Sequence, residues 1–347
     1  MFFSVSRYIG QSGRKEIHAG VDKIRQSVIH CAGGDVMAVV ICGTGKALPV
    51  RKMKNADFPA RLDTSDEWIR SHTGIVSRFI ADETDSASSL AVAACREAMG
   101  AVNAADIDLI VCATATPDYC GFPSVACLVQ RALGAQNAAC FDIAAACSGF
   151  LYALDTAAAL MERHKSRFAL VCAAEVLSRI VDWNDRATCV LFGDGAGAVL
   201  LQNTFTDGIE GIRPALLGAE GAGADKLYVD GERHIRMDGR AVYTFAVKII
   251  ADTVLQLLEK EGLRMDDIDL VVCHQANKRI LEAAAKRLNC VFAKFVCNLE
   301  IYGNTSAASV PITLDDLIKS GRLRTGMTII AAGFGAGLTW GGCVIRF

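Results

Sequence analysis

The sequence lacks a long basic tract, and its formal net charge is only -2 with 21% charged residues. This balance argues against broad binding to nucleic acid, because phosphate backbones are recognised by clustered Lys and Arg. The sequence also lacks a run of about 18 uninterrupted apolar residues, the length that a membrane-spanning helix needs. We therefore expect a soluble protein with neither nucleic acid nor a membrane as its partner.

Metal-binding cysteine patterns are also missing. The chain has fourteen cysteines, but none of them form a Cys-x-x-Cys pair, and no histidine is spaced to complete a zinc site. Most lie in apolar runs, as Cys112, Cys172 and Cys273 do, and these are expected to be small core residues of a protein in a reducing compartment. We expect no metal site and a cytoplasmic location.

The first 36 residues differ from the rest of the chain. Glu16, Asp22 and Asp35 are unfavourable in a transit peptide, and the apolar start is too short for a signal sequence. Met37 directly precedes a strand-like segment, 38–42. Residues 1–36 are therefore expected to form a loosely attached extension, or to result from an upstream start codon chosen wrongly.

The remaining chain repeats one pattern twice. Asp-Ile-Asp-Leu-Ile-Val-Cys at 106–112 returns as Asp-Ile-Asp-Leu-Val-Val-Cys at 267–273, and further matches follow at an offset of about 160 residues. Each copy alternates helices with short apolar strands, which predicts an α/β protein with mostly parallel sheets covered by helices. We expect two duplicated halves, 37–206 and 207–347.

Cys147 stands where a predicted buried strand turns into a helix. Three alanines precede it, and Gly149 follows shortly after. Backbone N–H groups and the helix dipole at such a turn favour the thiolate, which is the nucleophilic form, and the small neighbours leave room for an acyl group. On this stretch alone, a buried core cysteine at an Ala-rich helix start is an equally good interpretation.

Two polar residues follow strands in the second half. His274 ends the repeated strand, and we align Asn304 with the Cys147 turn. Because ligands collect at the carboxyl ends of strands in such sheets, these side chains and the loop 333–337 are expected to converge. A Cys, His and Asn set fits peptide hydrolysis with His as base, or acyl transfer with carbon–carbon bond formation, in which His and Asn stabilise an enolate.

Two glycine-rich runs are given different interpretations. The run 193–197, Gly-Asp-Gly-Ala-Gly, is followed by a strand-like segment where a phosphate-binding loop needs a helix, so we predict a tight hairpin. The loop 333–341 supplies backbone N–H groups, with that of Ala336 among them, for an oxyanion hole shared with the N–H of Cys147. A simple glycine turn is the alternative for this loop.

Five motifs together resemble one enzyme family. They are Ala-Ala-Ala-Cys-Ser-Gly-Phe at 144–150, Phe-Gly-Asp-Gly-Ala-Gly at 192–197, His-Gln-Ala-Asn at 274–277, Tyr-Gly-Asn-Thr-Ser-Ala-Ala-Ser-Val-Pro at 302–311 and Gly-Phe-Gly-Ala-Gly-Leu-Thr-Trp-Gly at 333–341. In this order they resemble the β-ketoacyl-acyl carrier protein synthase III family. The resemblance covers residues 37–347.

The resemblance implies a thiolase-like fold, with two duplicated halves in a layered αβαβα arrangement, and the first condensation of fatty acid synthesis. Cys147 would take a short acyl group, usually acetyl, from coenzyme A. Malonyl carried by acyl carrier protein would lose carbon dioxide, and the carbanion, stabilised by His274 and Asn304, would attack the thioester. No cofactor beyond these substrates is implied.

The resemblance also implies binding residues. Trp68 and Arg186 would flank the adenine of coenzyme A, and His72 stands where the family often has Arg, which puts one phosphate contact in question. Phe122 would reach across a homodimer and close the acyl pocket. Surface packing is the alternative for the first two residues, and core packing is the alternative for Phe122.

A predicted helix after His274 carries Lys278, Arg279, Lys286 and Arg287. The resemblance implies that this helix binds acyl carrier protein, which is acidic. A solvated basic face is the alternative.

Three other functions compete with this one. A related condensing enzyme of secondary metabolism, with another starter or a coenzyme A-bound extender, would use the same residues. A papain-like protease is disfavoured because the Cys-Gly-Ser-Cys type of signature is missing. A non-enzymatic scaffold would lack Cys147, His274 or Asn304, and all three are present.

Overall fold

The computed structural model of the chain describes residues 36–206 and 211–347. The predicted extension lies outside the described residues, apart from Val36, which begins the first strand. The division into halves at 206 and 207 stays a prediction, although one sheet takes its strands from residues up to Thr206 and another takes its strands from Gly211 onward.

The described residues form strands and helices that alternate along much of the chain. The strands are β1 Val36–Ala47, β2 Arg51–Lys54, β3 Ser77–Ile80, β4 Ile107–Ala113, β5 Ala139–Ile143, β6 Phe168–Glu175, β7 Gly195–Thr206, β8 Gly211–Ile212, β9 Leu216–Ala219, β10 Leu227–Val229, β11 Ile235–Met237, β12 Leu270–Cys273, β13 Thr328–Gly335 and β14 Thr339–Arg346. The α-helices are α1 Asp66–Thr73, α2 Ala87–Met99, α3 Val125–Leu133, α4 Gly149–His164, α5 Arg186–Cys189, α6 Gly239–Glu261, α7 Lys278–Arg287, α8 Leu299–Tyr302 and α9 Ser309–Lys319.

Two five-stranded sheets form the centre of the fold. The first has the order β1-β7-β6-β4-β5, and the second has the order β12-β13-β14-β8 with β9 also paired to β14. The short pairs β2-β3 and β10-β11 lie outside them. Successive side chains of a strand point to opposite faces. Accordingly, Val111 of β4 packs into the layer between the two sheets, whereas Cys112 packs against the outer helices.

Helices cover both faces of each sheet. The helices α4 and α9 lie between the two sheets, where Leu154 and Leu314 share one core with strands of both. The first sheet is covered on its outer face by α2 and α3, and the second by α6 and α7. This order of layers is the predicted αβαβα arrangement, which is confirmed.

The sheets are mixed in strand direction. Parallel pairing joins β4 to β5, β4 to β6 and β12 to β13, whereas β1, β7, β8, β9 and β14 pair antiparallel. The predicted parallel pairing therefore holds among β4, β5 and β6 and between β12 and β13. These include the strands that lead into Cys147 and His274, and the remaining pairs of the two sheets are antiparallel. The reason is that β7 and β14 return alongside β6 and β13 without a crossover helix that would set them parallel.

The prediction of a tight hairpin at 193–197 is wrong. Gly195 begins β7, and the residues before it belong to a long connection from β6 in which Asp194 accepts hydrogen bonds from Ala81 N–H and the Ser178 hydroxyl. The strand that follows the run is present as predicted. The buried carboxylate of Asp194 fixes the conformation of this connection through its hydrogen bonds to distant residues. Because these partners lie far away in the sequence, the local sequence does not reveal them.

Helix α6 is long and apolar enough to span a membrane by length and composition alone. In the structure its apolar residues Ile250, Val254 and Leu257 are buried in the layer that covers the second sheet. Asp238 caps its N-terminus by accepting a hydrogen bond from the Ala241 N–H. The apolar length of α6 is therefore explained by packing within the fold.

Candidate active site

The side chains of Cys147, His274 and Asn304 line one cavity of about 100 Å³. They come from different elements, namely the turn before α4, the end of β12 and the loop before α9. Their convergence was predicted from the positions of strand ends, and the structure places all three side chains at this cavity. Phe334 and Gly335, from the end of β13, complete the same wall.

Cys147 lies in a 3₁₀ turn, Ala146–Ser148, that leads directly into α4. Ala146 has a φ of 43°, a left-handed conformation that is costly for a residue with a side chain and is often found at functional sites. The turn directs the thiol into the cavity at the positive end of a 16-residue helix. The dipole of that helix favours negative charge on sulfur.

Cys147 is packed closely by the strand β13. A Cβ atom on Gly335 would lie 2.6 Å from the backbone nitrogen of Cys147, so only glycine allows this approach. The Thr339 hydroxyl lies 3.0 Å from the Ala336 carbonyl and 2.8 Å from the Ser148 hydroxyl, which ties the loop 335–339 to the cysteine turn. Ala336 lines a second cavity together with Cys147. The two residues predicted to form an oxyanion hole are thus neighbours.

The surroundings of Cys147, which is partly buried, favour the protonated thiol. Burial raises its pKa to about 12; a hydrogen bond with the Ser306 hydroxyl lowers this pKa, and the charge of Glu175 raises it. A thiol in this state needs a proton acceptor, or the help of nearby dipoles, when it attacks.

His274 is a buried, neutral imidazole. It is 1% exposed, and burial lowers its pKa to about 3. Its Nδ1 atom lies 2.8 Å from the Ser309 hydroxyl, and its ring meets the Phe334 ring edge to face at 5.3 Å. Nδ1 is therefore engaged with α9, and Nε2 is the ring nitrogen that remains for a ligand in the cavity.

Asn304 is also fixed by its neighbours. Its Oδ1 accepts a hydrogen bond from the Ser306 N–H at 2.9 Å, and its backbone is bridged to Phe192. Since the amide oxygen is occupied, the Nδ2 group is the part of the side chain left to donate to a ligand. Asn304 thus offers hydrogen-bond donors at the cavity beside Cys147.

The alignment of Asn304 with Cys147 is wrong by three residues. In the second half, the turn with left-handed φ is at Ser306 (φ 49°), which matches Ala146, and α9 follows as α4 follows Cys147. Ala307 therefore occupies the position equivalent to Cys147. Asn304 reaches the cavity because the loop before this turn bends toward Leu191 and Gly193, to which its backbone is hydrogen-bonded.

A second cavity of about 100 Å³ adjoins the first at Cys147 and Phe192. Its other lining side chains are mostly apolar, among them Leu177, Ile180 and Ile235. An apolar cavity that ends at a thiol fits a short hydrocarbon chain bound to that thiol. The cysteine therefore faces one cavity that also carries His274 and Asn304 and a second cavity whose lining is almost wholly apolar.

Trp68 and Arg186 contact each other in the structure. The guanidinium carbon lies 5.0 Å from the Trp68 ring centroid, and Arg186 also donates to the Asp63 carbonyl. A ring stacked between two groups needs about 3.5 Å on each side, which is about 7 Å in all. Adenine therefore fits between Trp68 and Arg186 only if the two side chains move apart by about 2 Å. His72 stacks on Trp68 with 4.4 Å between ring centroids.

The predicted basic helix α7 lies beside α1, which carries Trp68. Asn277 caps α7 by accepting from the Arg279 N–H, and its Nδ2 atom donates to the carbonyl of His72. All four basic residues predicted on this helix are exposed: Lys278, Arg279, Lys286 and Arg287. The expected coenzyme A contacts and the basic helix thus share one rim.

Phe122 lines neither cavity of its own chain and is 88% exposed. Tyr119 in the same loop is 53% exposed. The alternative that Phe122 packs in the core of its own chain is therefore wrong. Its role in closing an acyl pocket stays a prediction.

Sequence reasoning missed three buried polar residues near Cys147. They are Glu175 at the end of β6, Ser306 in the turn before α9 and Ser309 at the start of α9. Glu175 ends an otherwise apolar strand, and a carboxylate at the carboxyl end of a buried strand is the signal that could have identified it.

One group of side chains outside the cavities resembles a metal site. Ligand-type atoms of Asp230, Glu232 and His234 lie within 4.8 Å of one another. The carboxylate of Asp230 already accepts from the N–H groups of Glu232 and His234 and from Arg236 Nε. Because these donors occupy its oxygens, we assign no metal to this group.

Comparisons with known proteins agree with this geometry. The family model described as 3-oxoacyl-[acyl-carrier-protein (ACP)] synthase III matches residues 141–221, and the model of its C-terminal part matches residues 258–347. The β-ketoacyl-[acyl-carrier-protein] synthase III 1 of Bacillus anthracis is 45% identical over 313 residues, which cover 90% of this chain and 99% of the relative. The synthase III of Oceanobacillus iheyensis is 46% identical with the same coverage.

Solved structures give the same result. The crystal structure of 3-oxoacyl-[acyl-carrier-protein] synthase III from Aquifex aeolicus superimposes with a TM-score of 0.85 at 43% identity, and the match covers 90% of this chain and 100% of that one. The chain therefore has a thiolase-like fold and belongs to the β-ketoacyl-acyl carrier protein synthase III family of acyl-transferring condensing enzymes.

Proposed function

We propose that this enzyme condenses a short acyl-coenzyme A, with acetyl-coenzyme A as the expected starter, with malonyl-acyl carrier protein. The product is a 3-oxoacyl-acyl carrier protein, and carbon dioxide and coenzyme A are released. The observation that carries this proposal is the convergence of Cys147, His274 and Asn304 on one cavity. Family membership supports the same reaction.

In the first step, the Cys147 sulfur attacks the starter thioester and coenzyme A leaves. Negative charge develops on the carbonyl oxygen, and the N–H groups of Cys147 and Ala336 stabilise it as an oxyanion hole. The apolar cavity beside Cys147 accommodates the acyl chain. Its small volume, about 100 Å³, favours a short starter.

In the second step, the malonyl thioester enters the cavity lined by His274 and Asn304. Loss of carbon dioxide leaves an enolate, whose oxygen receives hydrogen bonds from His274 Nε2 and Asn304 Nδ2. His274 acts as a neutral donor, because burial keeps its pKa far below 7. The enolate carbon then attacks the acyl carbonyl carbon and forms the new carbon–carbon bond, while the bond from that carbon to Cys147 Sγ breaks and frees the cysteine.

The remaining partners follow from the surface. Trp68 and Arg186 hold the adenine of coenzyme A, and Lys278 and Arg279 attract the acidic carrier protein. No further cofactor takes part. Cys147 works as a free thiol, and the cysteines of the described residues are all free, which supports a cytoplasmic location.

The experiment is acyl labelling followed by peptide mapping. With radiolabelled acetyl-coenzyme A we expect label on the peptide that contains Cys147, none in Cys147→Ala, and unchanged labelling in a Cys140→Ala control, whose thiol is half-buried in β5. A His274→Ala variant should still be labelled but should release almost no carbon dioxide from malonyl carrier protein. Absence of label with acetyl, propionyl and branched starters alike would refute the proposal.

A further inference from the structure

Ser309 is a buried serine whose hydroxyl contacts the ring of His274, and the reaction described so far gives it no role. It is the first residue of α9. A hydroxyl can donate or accept a hydrogen bond, because it carries one proton and two lone pairs. The direction of the bond between Ser309 Oγ and His274 Nδ1 therefore decides which ring nitrogen carries the proton of the neutral imidazole.

The backbone N–H of Gln275 occupies one side of this hydroxyl. It donates to Ser309 Oγ at 3.2 Å, and a backbone N–H can act only as a donor. The side chain of Gln275 is itself fixed, because its Nε2 donates to the carbonyls of Cys273 at 2.8 Å and Val296 at 3.0 Å. Its Oε1 accepts from the Asn298 N–H at 3.1 Å. The Ser309 oxygen is therefore held as an acceptor on this side.

The proton of the Ser309 hydroxyl then has one acceptor. Among the residues that the structure describes, Ser309 Oγ is hydrogen-bonded to the Gln275 N–H and to His274 Nδ1, at 2.8 Å, and to no other group. If Nδ1 carried a proton, both partners would be donors, and the hydroxyl proton would be buried without an acceptor, which is costly. If Nδ1 is unprotonated, the hydroxyl donates to it and each group has a partner. The ring proton is then on Nε2.

The backbone of Ser306 is the group that favours the opposite arrangement. Burial lowers the pKa of His274 to about 3, and the Ser306 backbone counters this lowering in part. A carbonyl has this effect when it accepts from a ring N–H. The Ser306 carbonyl already accepts the backbone N–H of Ser309, and within residues 36–206 and 211–347 no ring N–H meets hydrogen-bond geometry toward it. The hydroxyl of Ser309 is therefore the group that directs the ring proton.

We propose that Ser309 is a positioning residue that holds His274 in the tautomer with the proton on Nε2. Its hydroxyl donates to Nδ1, and the Gln275 N–H keeps that hydroxyl turned toward the ring. Ser309 does not touch the substrate and acts through His274. This inference rests on the proposed function, in which His274 Nε2 donates a hydrogen bond to the enolate oxygen.

The tautomer matters for one of the two steps. With the proton on Nδ1, Nε2 would present a lone pair to the oxygen on which negative charge develops, and only Asn304 would remain as a donor. Acylation of Cys147 uses the backbone N–H groups proposed for the oxyanion hole and needs no donor from the ring. Loss of Ser309 should therefore slow decarboxylation and spare acylation.

The tautomer can be measured directly by NMR. In protein labelled with ¹⁵N-histidine, long-range ¹H–¹⁵N correlations show which ring nitrogen carries the proton, and His274→Asn identifies the signals of His274 among the six histidines. Between about pH 6 and pH 8 we expect a protonated Nε2 and an unprotonated Nδ1, with no titration, because burial keeps this imidazole neutral. A proton on Nδ1 would overturn the proposal.

Ser309→Ala removes the donor to Nδ1. We expect release of carbon dioxide from malonyl carrier protein by the acetylated enzyme to fall about tenfold, the loss typical of one hydrogen bond. Acetylation by acetyl-coenzyme A should keep its rate, and the ¹⁵N shifts of His274 should move toward those of a mixture of tautomers. An equal loss in both steps would overturn the proposal, as would unchanged ¹⁵N shifts.

The matched control is Thr313→Val, which removes another buried hydroxyl from α9, one turn after Ser309. The Thr313 hydroxyl donates to the Ser309 carbonyl at 2.7 Å and to Asn298 Oδ1 at 3.1 Å, so neither partner is His274. Both rates and the His274 shifts should stay unchanged. The same loss of decarboxylation in the two variants would overturn the proposal, because it would indicate a general disturbance of α9.

Two outcomes are kept apart by this design. If Ser309→Ala does not fold, the spectrum of the unaltered enzyme decides the tautomer by itself. An unaltered enzyme that no starter acylates would refute the proposed function, whereas the position of the ring proton would still be measured independently of any activity.

Discussion

At the scale of single residues, the site depends on small side chains as much as on reactive ones. Ala146 and Ser306 adopt left-handed backbone conformations, and Gly335 lies against the backbone of Cys147. These positions bring a thiol, backbone N–H groups and two hydrogen-bonding side chains to one point. We therefore expect the rate of the reaction to fall when a single methyl group is added at Gly335.

Gly335→Ala tests this sensitivity. The new Cβ would lie 2.6 Å from the backbone nitrogen of Cys147 and would displace the N–H that is proposed for the oxyanion hole. We expect acetylation by acetyl-coenzyme A to slow by about 100-fold to 1000-fold, the loss typical of removing one oxyanion donor. Gly231→Ala is the control, since its Cβ would meet nothing within 4 Å. Equal rates in the two variants would contradict the proposed position of the oxyanion hole.

At the scale of elements, α7 carries two cations at the end of the helix that does not favour them. Lys278 and Arg279 stand in its first turn, where the helix dipole disfavours cations. Lys278 lies 3.8 Å from Glu282, and both side chains are about half exposed, so this pair contributes little. Lys278 and Arg279 therefore add little to the stability of the helix, and binding to an anionic partner explains their positions better.

Replacement of Arg279 by Ala should separate binding from stability. We expect kcat/KM for malonyl carrier protein to fall about tenfold, with a weaker dependence on salt, while the melting temperature stays the same or rises slightly. Acetylation by acetyl-coenzyme A should not change. Arg163→Ala, at the far end of α4, removes another exposed positive charge and should leave kcat/KM unaltered. A similar loss in both variants would argue for a general charge effect.

At the scale of the whole molecule, the two sheets and the helices between them form a single core that fixes the relative positions of both halves. The exposed apolar side chains of Tyr119 and Phe122 are unfavourable on a monomer in water. They lie in the loop between β4 and α3 and line neither of the two cavities. Their exposure supports the expected homodimer.

Sedimentation equilibrium should give twice the mass of the chain. Phe122→Asp should shift the protein toward monomer and should change the relative rates for short and long starters, because the acyl pocket would lose its cover from the partner subunit. Val291→Asp is the control, because it adds the same charge at another exposed apolar residue, which is 66% exposed. A monomer at all concentrations of the unaltered protein would contradict the prediction.

The local sequence was sufficient for much of the fold. The repeated phrases at 106–112 and 267–273 predicted β4 and β12. In the same way, Ser65 caps the helix that carries Trp68 by accepting a hydrogen bond from the Trp68 N–H three residues on. Apolar runs and capping residues act over a few positions, so their consequences can be predicted from adjacent residues. Cys147 and His274 were identified because they end such runs.

Other features were decided by tertiary structure alone. The antiparallel pairing of β7 and β14, the connection anchored by Asp194 and the true equivalence of Ala146 with Ser306 depend on contacts between distant segments. The sequence by itself determined which residues carry reactive groups, and the packing of the two halves decided which of those groups meet, because burial and hydrogen-bond partners exist only after the sheets are joined.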